Sequence, residues 1–340
     1  MNRRKVLVLG ATGSMGAYLV PLLLKKGYKV DGVTLDKVSS DNENLRYINV
    51  NAKDMQELAK LLENGYDGIV DFMYYPIAQF KERYNLLLSS CGHYIALSSY
   101  RVYNDDEIPT VETSPRHIDF SKDAQLLTSD DYTVEKARME NMLMLSGYKN
   151  WTIVRPSMIF SKLSIPLCAL GAWRVCNGAK EGKVCLLPKS GVNTNATITW
   201  SGDVAKMFVG VLFNEDAKGQ VFTFATSEHH TWGEIARFYK KKLGLRTLII
   251  PDEAYVNIIG GGAFWGKVIV NYDRLMNRVI DNSKVLKYTS LTKDDMTPVF
   301  DALSLELDGL CGNYNFTPNK EQEKRIEEYL LNGGEILGEI

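Results

Sequence analysis

A tyrosine and a lysine stand four residues apart in Tyr132-Thr133-Val134-Glu135-Lys136. On a helix that spacing puts the phenol and the ammonium on one face. A free phenol titrates at about 10 and is a poor base at neutral pH, but a neighbouring ammonium favours the phenolate and depresses that value. Such a group can move the proton that accompanies hydride transfer at an alcohol carbon. Ser99 closes the run Tyr94-Ile95-Ala96-Leu97-Ser98-Ser99 and can donate to a developing alkoxide. Ser99, Tyr132 and Lys136 are therefore candidate catalytic residues for interconverting an alcohol and a carbonyl. Tyrosine and lysine at this spacing are common on solvated helices, so the pair takes its meaning from its surroundings.

A hydride needs an acceptor, and the start of the chain offers a seat for one. Val6-Leu7-Val8-Leu9 reads as a strand buried on both faces, followed by Gly10-Ala11-Thr12-Gly13-Ser14-Met15-Gly16. A helical stripe of Tyr18, Leu19, Leu22 and Leu23 comes next, Gly27 stops it, and Val30, Gly32 and Val33 open a second strand. Strand, glycine turn, helix and strand in this order form a dinucleotide-binding unit. Gly10 permits the turn, Gly13 lets the backbone approach a pyrophosphate, and Gly16 lets the helix lie close to the sheet. Thr12, Ser14 and Met15 fill the same turn, and the helix N-terminus offers unpaired N–H groups to phosphates. Asp36, twenty residues after Gly16, is the candidate for an adenosine ribose hydroxyl. Its charge favours NAD by repelling a 2′-phosphate, while Lys37 leaves NADP open.

The intervening segments keep the alternation of strand and helix. Leu45–Ile48, Gly68–Phe72, Tyr94–Leu97 and Trp151–Val154 read as strands, with helical stripes over Met55–Glu63, Tyr84–Leu88 and Asp131–Leu145. The fold expected is α/β, a Rossmann-type doubly wound parallel sheet with a smaller C-terminal substrate lobe. Ligands then sit at the carboxyl ends of the strands. Residues 103–131 read as a long polar surface loop. Leu163–Ala179 reads as helical, Val184–Leu187 as extended, Val221–Phe224 as a strand, 232–243 and Lys320–Leu331 as amphipathic helices, and Gly260-Gly261-Gly262 as a turn. Residues 1–157 are assigned to the dinucleotide-binding domain, with 193–230 returning to it. Residues 158–192 and 231–340 are assigned to the substrate lobe.

Composition bounds the answer. A length of 340 residues, 45% hydrophobic and 24% charged, excludes a disordered chain and a disulfide-stapled miniprotein. A formal net charge of -1 provides no overall field for nucleic acid or an anionic membrane. Cys91, Cys168, Cys176, Cys185 and Cys311 show no paired spacing, which favours free thiols in a reducing compartment. His93, His117, His229 and His230 form no ligand set, so no metal is expected. The first apolar run spans only Val6 to Leu9, too short for a signal-peptide core, and no run approaches the ~20 residues of a membrane span. A cytoplasmic location is the expectation.

Taken together, the motifs resemble those of the extended, atypical short-chain dehydrogenase/reductase group, the NAD-dependent epimerase/dehydratase family. The resemblance rests on Gly10-x-x-Gly13-x-x-Gly16, Ser98-Ser99-Tyr100-Arg101-Val102-Tyr103, Glu112 before Ser114-Pro115, Tyr132-x-x-x-Lys136 with Glu140, Arg155-Pro156, Asp203-Val204-Ala205 and Asp281-Asn282-Ser283-Lys284. It implies that Ser99 is the catalytic serine, that Tyr132 is the acid/base, and that Lys136 holds the nicotinamide ribose. It also implies that Arg155-Pro156 lies beside the nicotinamide, that the substrate is a nucleotide-linked sugar, and that the chain forms a homodimer. Arg155, Arg174 or Lys180 would suit a substrate diphosphate, and Trp173 or Trp200 a stacked base or sugar, although ordinary structural roles account for each. Tyr100-Arg101 stands where sugar 4,6-dehydratases carry an Asp-Glu pair, which argues against that reaction and leaves epimerase or reductase. Two alternatives stand beside this: a non-catalytic or RNA-associated dinucleotide-binding protein, and a reductase of a small non-sugar carbonyl metabolite.

Overall fold

The computed structural model describes residues 3–340 and is built on seven parallel strands. They are β1 (Lys5–Leu9), β2 (Lys29–Thr34), β3 (Leu45–Asn49), β4 (Tyr66–Asp71), β5 (Cys91–Leu97), β6 (Trp151–Pro156) and β7 (Gln220–Phe224). Their order across the sheet is β7-β6-β5-β4-β1-β2-β3, and every neighbouring pair is parallel. Parallel strands need helical crossovers, so both faces are covered and the central strands are largely apolar, whereas the edge strand β3 carries Arg46 and Asn49 and is only partly buried.

Side chains alternate between the two faces. Val6, Val8, Val30, Val70, Ile95, Val154 and Phe222 meet helix α1 (Gly16–Lys25), helix α5 (Ser201–Val211) and Val285. Leu7, Leu9, Ile69, Tyr94, Ala96 and Ile153 meet α2 (Met55–Leu62), α3 (Ile77–Ser89) and α4 (Tyr132–Met144). The second face carries the candidate chemistry, because α4 begins at Tyr132. Asp131 is its N-cap and accepts the Thr133 N–H at 2.8 Å, the kind of contact that starts a helix at a defined residue.

A second core forms the C-terminal lobe, in which Cys185–Pro188, Thr247–Ile250 and Gly338–Glu339 make a three-stranded sheet. The helices Trp232–Leu243, Asp252–Gly260, Val299–Gly309 and Lys320–Leu331 pack on it through Trp232, Tyr239, Tyr255, Leu303 and Ile326.

Two segments differ from their sequence reading. Within 163–179, helical turns cover only Trp173–Asn177 and Gly178–Lys180. Upstream, Ser161 pairs with Ser164 and Leu167 with Leu170 as tight bridged turns, and Pro166 has no N–H to give to a helix. The stretch 103–131 is not a simple surface loop. It contains helices His117–Phe120 and Ala124–Thr128, buries Tyr103, Thr110, His117 and Leu126, and bridges Thr110 to Ile280.

Candidate active site

The glycine turn folds as its residue types require. Gly10 has φ +86°, a left-handed conformation that disfavours any side chain. A Cβ at Gly16 would lie 2.3 Å from Gly10 O and 2.6 Å from Ala11, so the close approach at Gly16 is to the turn's own backbone. Gly13 is different: an added Cβ would meet only Gly10 O, at 3.5 Å. Internal packing does not demand a glycine there, and its bareness leaves room on the outer side of the turn. The N–H groups of Thr12, Ser14, Met15 and Gly16 find no acceptor among the described residues. The first turn of α1 carries no acidic residue and no side-chain cap. Free N–H groups at an uncapped helix start suit a pyrophosphate, so the residues present fit a dinucleotide.

Beside this turn lies a cleft of ≈ 240 Å³ lined by Gly10, Thr12, Thr34, Asp36, Asn51 and Met73 among others. Thr12 Oγ1 donates to Asp36 Oδ2 at 2.6 Å, and the Asp36 N–H donates to Thr34 Oγ1 at 3.0 Å. These bonds hold the Asp36 carboxylate at the rim, two residues past the end of β2. Asn51 and Met73 did not emerge from the sequence reading. Both lie just beyond strand ends, those of β3 and β4, and that position is the signal that marks them.

Residues 72–74 connect the turn to the tyrosine. Phe72 and Met73 face Gly10, and the Tyr74 ring packs 5.3 Å from that of Tyr132. Glu135 of α4 accepts the Ile77 N–H and so fastens the following helix to the same place. Lys136 is fully enclosed. Its ammonium lies 5.6 Å from the Tyr132 ring centroid and donates to Leu97 O at 2.5 Å. Burial lowers its pKa to about 8, against opposing pulls from Asp71 and Glu140.

The two serines at the end of β5 separate. Ser98 Oγ donates to Glu140 Oε1 at 2.5 Å in the interior, whereas Ser99 is the N-cap of the turn Tyr100–Val102, accepts the Arg101 N–H at 3.2 Å, and favours ionisation of the Tyr132 phenol. Ser99, Tyr132 and Lys136 are thus brought together. The expected depression of the phenol by Lys136 is not what the structure shows. Burial raises Tyr132, and the charge that lowers it most is the Arg101 guanidinium, with Ser99 next. The Lys136 ammonium is instead engaged with the strand-end carbonyl.

Arg155 also departs from expectation. Its side chain is 3% exposed and points into the protein, where Nε and Nη2 donate to Glu140 at 2.8 and 2.7 Å and Nη1 donates to Glu112 O at 2.9 Å. All its polar groups are spent internally, which removes it from cofactor or diphosphate binding. Pro156, the last residue of β6, retains only its place at a carboxyl end of the sheet. Arg174 is likewise buried, on Glu323 and Val184 O, and Lys180 reaches Gly312 O at 3.4 Å. Trp173 packs under Lys183, while Trp200 meets Tyr18 edge-on and donates to Glu306 at 2.5 Å. None of these partners belongs to the group around Tyr132.

The fold agrees with comparison to known proteins. The chain belongs to the NAD dependent epimerase/dehydratase family, whose model matches residues 6–223. A curated relative, the chloroplast stem-loop binding protein of 41 kDa b of Arabidopsis thaliana, is 25% identical over 260 residues. The match covers 72% of this chain and 64% of that protein. The UDP-glucuronic acid 4-epimerase of Bacillus cereus, solved with UDP-glucuronic acid and NAD, superposes with a TM-score of 0.67 at 17% identity, over 91% of this chain and 100% of that one. The UDP-glucose 4-epimerase of Thermus thermophilus, solved with NAD, gives 0.64 at 16% identity, over 91% and 100%. At these identities the likeness is one of fold. Among the described residues no helix is long and apolar enough to cross a membrane.

Proposed function

We propose that this chain is an NAD-dependent epimerase or reductase that interconverts alcohol and carbonyl on a nucleotide-linked sugar. The observation that carries this reading is the convergence of Ser99 and Lys136 on Tyr132, one short segment away from the free N–H groups of the glycine turn. In this reading Thr12, Ser14, Met15 and Gly16 hold the pyrophosphate through backbone N–H groups. Asp36 accepts from a ribose hydroxyl and disfavours the 2′-phosphate of NADP. Nicotinamide, when bound, supplies the hydride acceptor. Tyr132 takes the hydroxyl proton, Ser99 donates to the substrate oxygen, and Lys136, which spends one of its three N–H donors on Leu97 O, keeps the others for the ribose hydroxyls of the nicotinamide half. The sugar nucleotide bound in a protein of the same fold supports the substrate class. The position of β7 in the main sheet, with α5 packed on it, supports assigning 193–230 to the cofactor domain and 158–192 with 231–340 to the substrate lobe.

The test is turnover with NAD on a panel of UDP-, GDP- and dTDP-sugars. Tyr132→Phe should lower kcat by about 10²–10⁴-fold while calorimetric NAD affinity is kept. Full turnover in that variant rejects Tyr132 as the acid/base. A second reading, an RNA-associated dinucleotide-binding protein, draws on the name of the curated relative. Salt-sensitive binding of a stem-loop RNA, with no turnover on any sugar, would favour it.

A further inference from the structure

Arg101 follows Ser99 by two residues, and the reading above gives it no task. Its guanidinium carbon lies 5.2 Å from the Tyr132 ring centroid, closer than the 5.6 Å of the Lys136 ammonium. The two cations differ in what else they touch. Lys136 is tied to a neutral carbonyl of β5. Arg101 is held by two carboxylates, Asp131 at the cap of α4 (3.7 Å) and Asp273 of the C-terminal segment (3.2 Å). Its buried Nε has no well-aligned acceptor, so the contact with Asp273 is one of charge. Asp273 is itself shared: it accepts from Tyr100 Oη at 2.6 Å, pairs with Arg274, and lies 3.3 Å from Arg278. Two carboxylates, Asp131 and the enclosed Asp273, thus face three guanidinium groups, which leaves the cluster with an excess positive charge beside the phenol.

We propose that Arg101 is a positioning residue for proton transfer: clamped over the Tyr132 ring by Asp131 and Asp273, its guanidinium stabilises the phenolate form of Tyr132. This rests on Tyr132 being the acid/base. In the step, the substrate hydroxyl proton passes to the phenolate oxygen while the hydride leaves the same carbon for the nicotinamide, and Arg101 gains and loses no proton. Other groups around Tyr132 are Lys136, Glu135, Asp130 and Asp131 on α4 and its approach, Ser99 at the end of β5, and Tyr74 after β4. Among those acting on the phenol, burial and Tyr74 disfavour ionisation, whereas Arg101 and Ser99 favour it. Glu135, Asp131 and Asp130 act on Tyr74.

The test replaces Tyr132 with a difluorotyrosine, whose acidified phenol ionises below the other tyrosines, and follows it by ¹⁹F NMR in the full chain without substrate. With the 5.2 Å from the guanidinium carbon to the ring centroid taken as the separation, a unit charge acting across an effective dielectric between that of a protein surface and water shifts ionisation by roughly 1–2 pH units. Arg101→Gln should raise the midpoint by that amount, and Arg101→Lys, which keeps the charge, should restore most of it. The same upward shift should appear in the kcat–pH profile on any substrate that turns over. A midpoint in Arg101→Gln within about 0.3 units of wild type overturns the proposal, as does a failure of Arg101→Lys to restore it. Because the titration needs no substrate, failure to find a sugar substrate leaves it standing. An unshifted midpoint in an active enzyme defeats this proposal alone.

Discussion

Replacing Glu140 should be strongly destabilising. Both of its oxygens are committed: Oε1 accepts from Ser98 Oγ (2.5 Å) and Arg155 Nε (2.8 Å), and Oε2 from Arg155 Nη2 (2.7 Å) and Arg116 Nη1 (3.0 Å). Glu140→Ala would leave the enclosed Arg155 guanidinium with Glu112 O and the Tyr103 ring as its remaining contacts. Breaking a buried pair by removing one partner costs about 3–5 kcal/mol. For a chain of 340 residues unfolding as one unit, an entropy of about 0.7 kcal/mol/K converts this to a fall in Tm of roughly 4–7 °C. Scanning calorimetry at pH 7 measures it, and Glu140→Gln, which keeps shape but not charge, should lose most of the same amount. Burial alone would raise the Glu140 carboxyl, but the Arg155 charge, its hydrogen bonds, Ser98 and Arg116 outweigh it and hold the group below its usual range. A depressed carboxyl stabilises the fold above its unfolded value of about 4.3 and stops doing so as the pH falls through the folded value. The gap between wild type and Glu140→Ala should therefore close on acidification. A Tm within about 1 °C of wild type at pH 7 would refute the reasoning.

Two further outcomes follow from buried histidines and bare glycines. Burial foremost, aided by Lys218 for His93 and by Arg278 for His117, lowers both rings to about 4. The unfolded rings protonate near about 6.5, so unfolding takes up protons between those values, and stability should fall by about 2 kcal/mol per ring from pH 7 to pH 5. Urea unfolding of His93→Gln at the two pH values should show a pH-dependent loss smaller by about that amount; an unchanged loss would contradict it. Gly13→Ala should leave Tm unaltered yet weaken NAD binding at least about tenfold by calorimetry, because its Cβ fills only the open side of the turn. Gly16→Ala should lower both, since its Cβ collides with the backbone of the turn. Wild-type NAD affinity in Gly13→Ala would remove the glycine turn from the binding site.

The sheet was legible because parallel strands buried on both faces read as short continuous apolar runs, and the glycine turn because Gly10 must take a positive φ. Leu163–Ala179 reads as helical for the same reason, since an apolar run carries no period of its own, and Pro166 breaks the helix that the run suggests. The fate of Arg155 was within reach. Ile153 faces α2, α3 and α4, so by strand alternation Arg155 faces α4 as well, where Glu140 awaits it. The same parity divides the serines, with Ser98 on the face of Tyr94 and Ala96 and Ser99 turned the other way. Arg101 was not legible, because the carboxylate that draws it in, Asp273, lies 172 residues further along and no local pattern links the two.

Helix α4 places three charged side chains, Glu135, Lys136 and Glu140, in the interior, although apolar residues there would stabilise a fold at least as well. Their partners explain the arrangement. Glu135 ties down the start of α3 and Glu140 the end of β5 and the end of β6, so the loops on either side of Tyr132 are fixed by one helix. Lys136 bonds to β5 and belongs to the same rigid group. Arg101 alone is anchored partly outside it, on Asp273. The charge beside the phenol thus depends on how the C-terminal segment sits against the sheet, whereas the Lys136 ammonium does not.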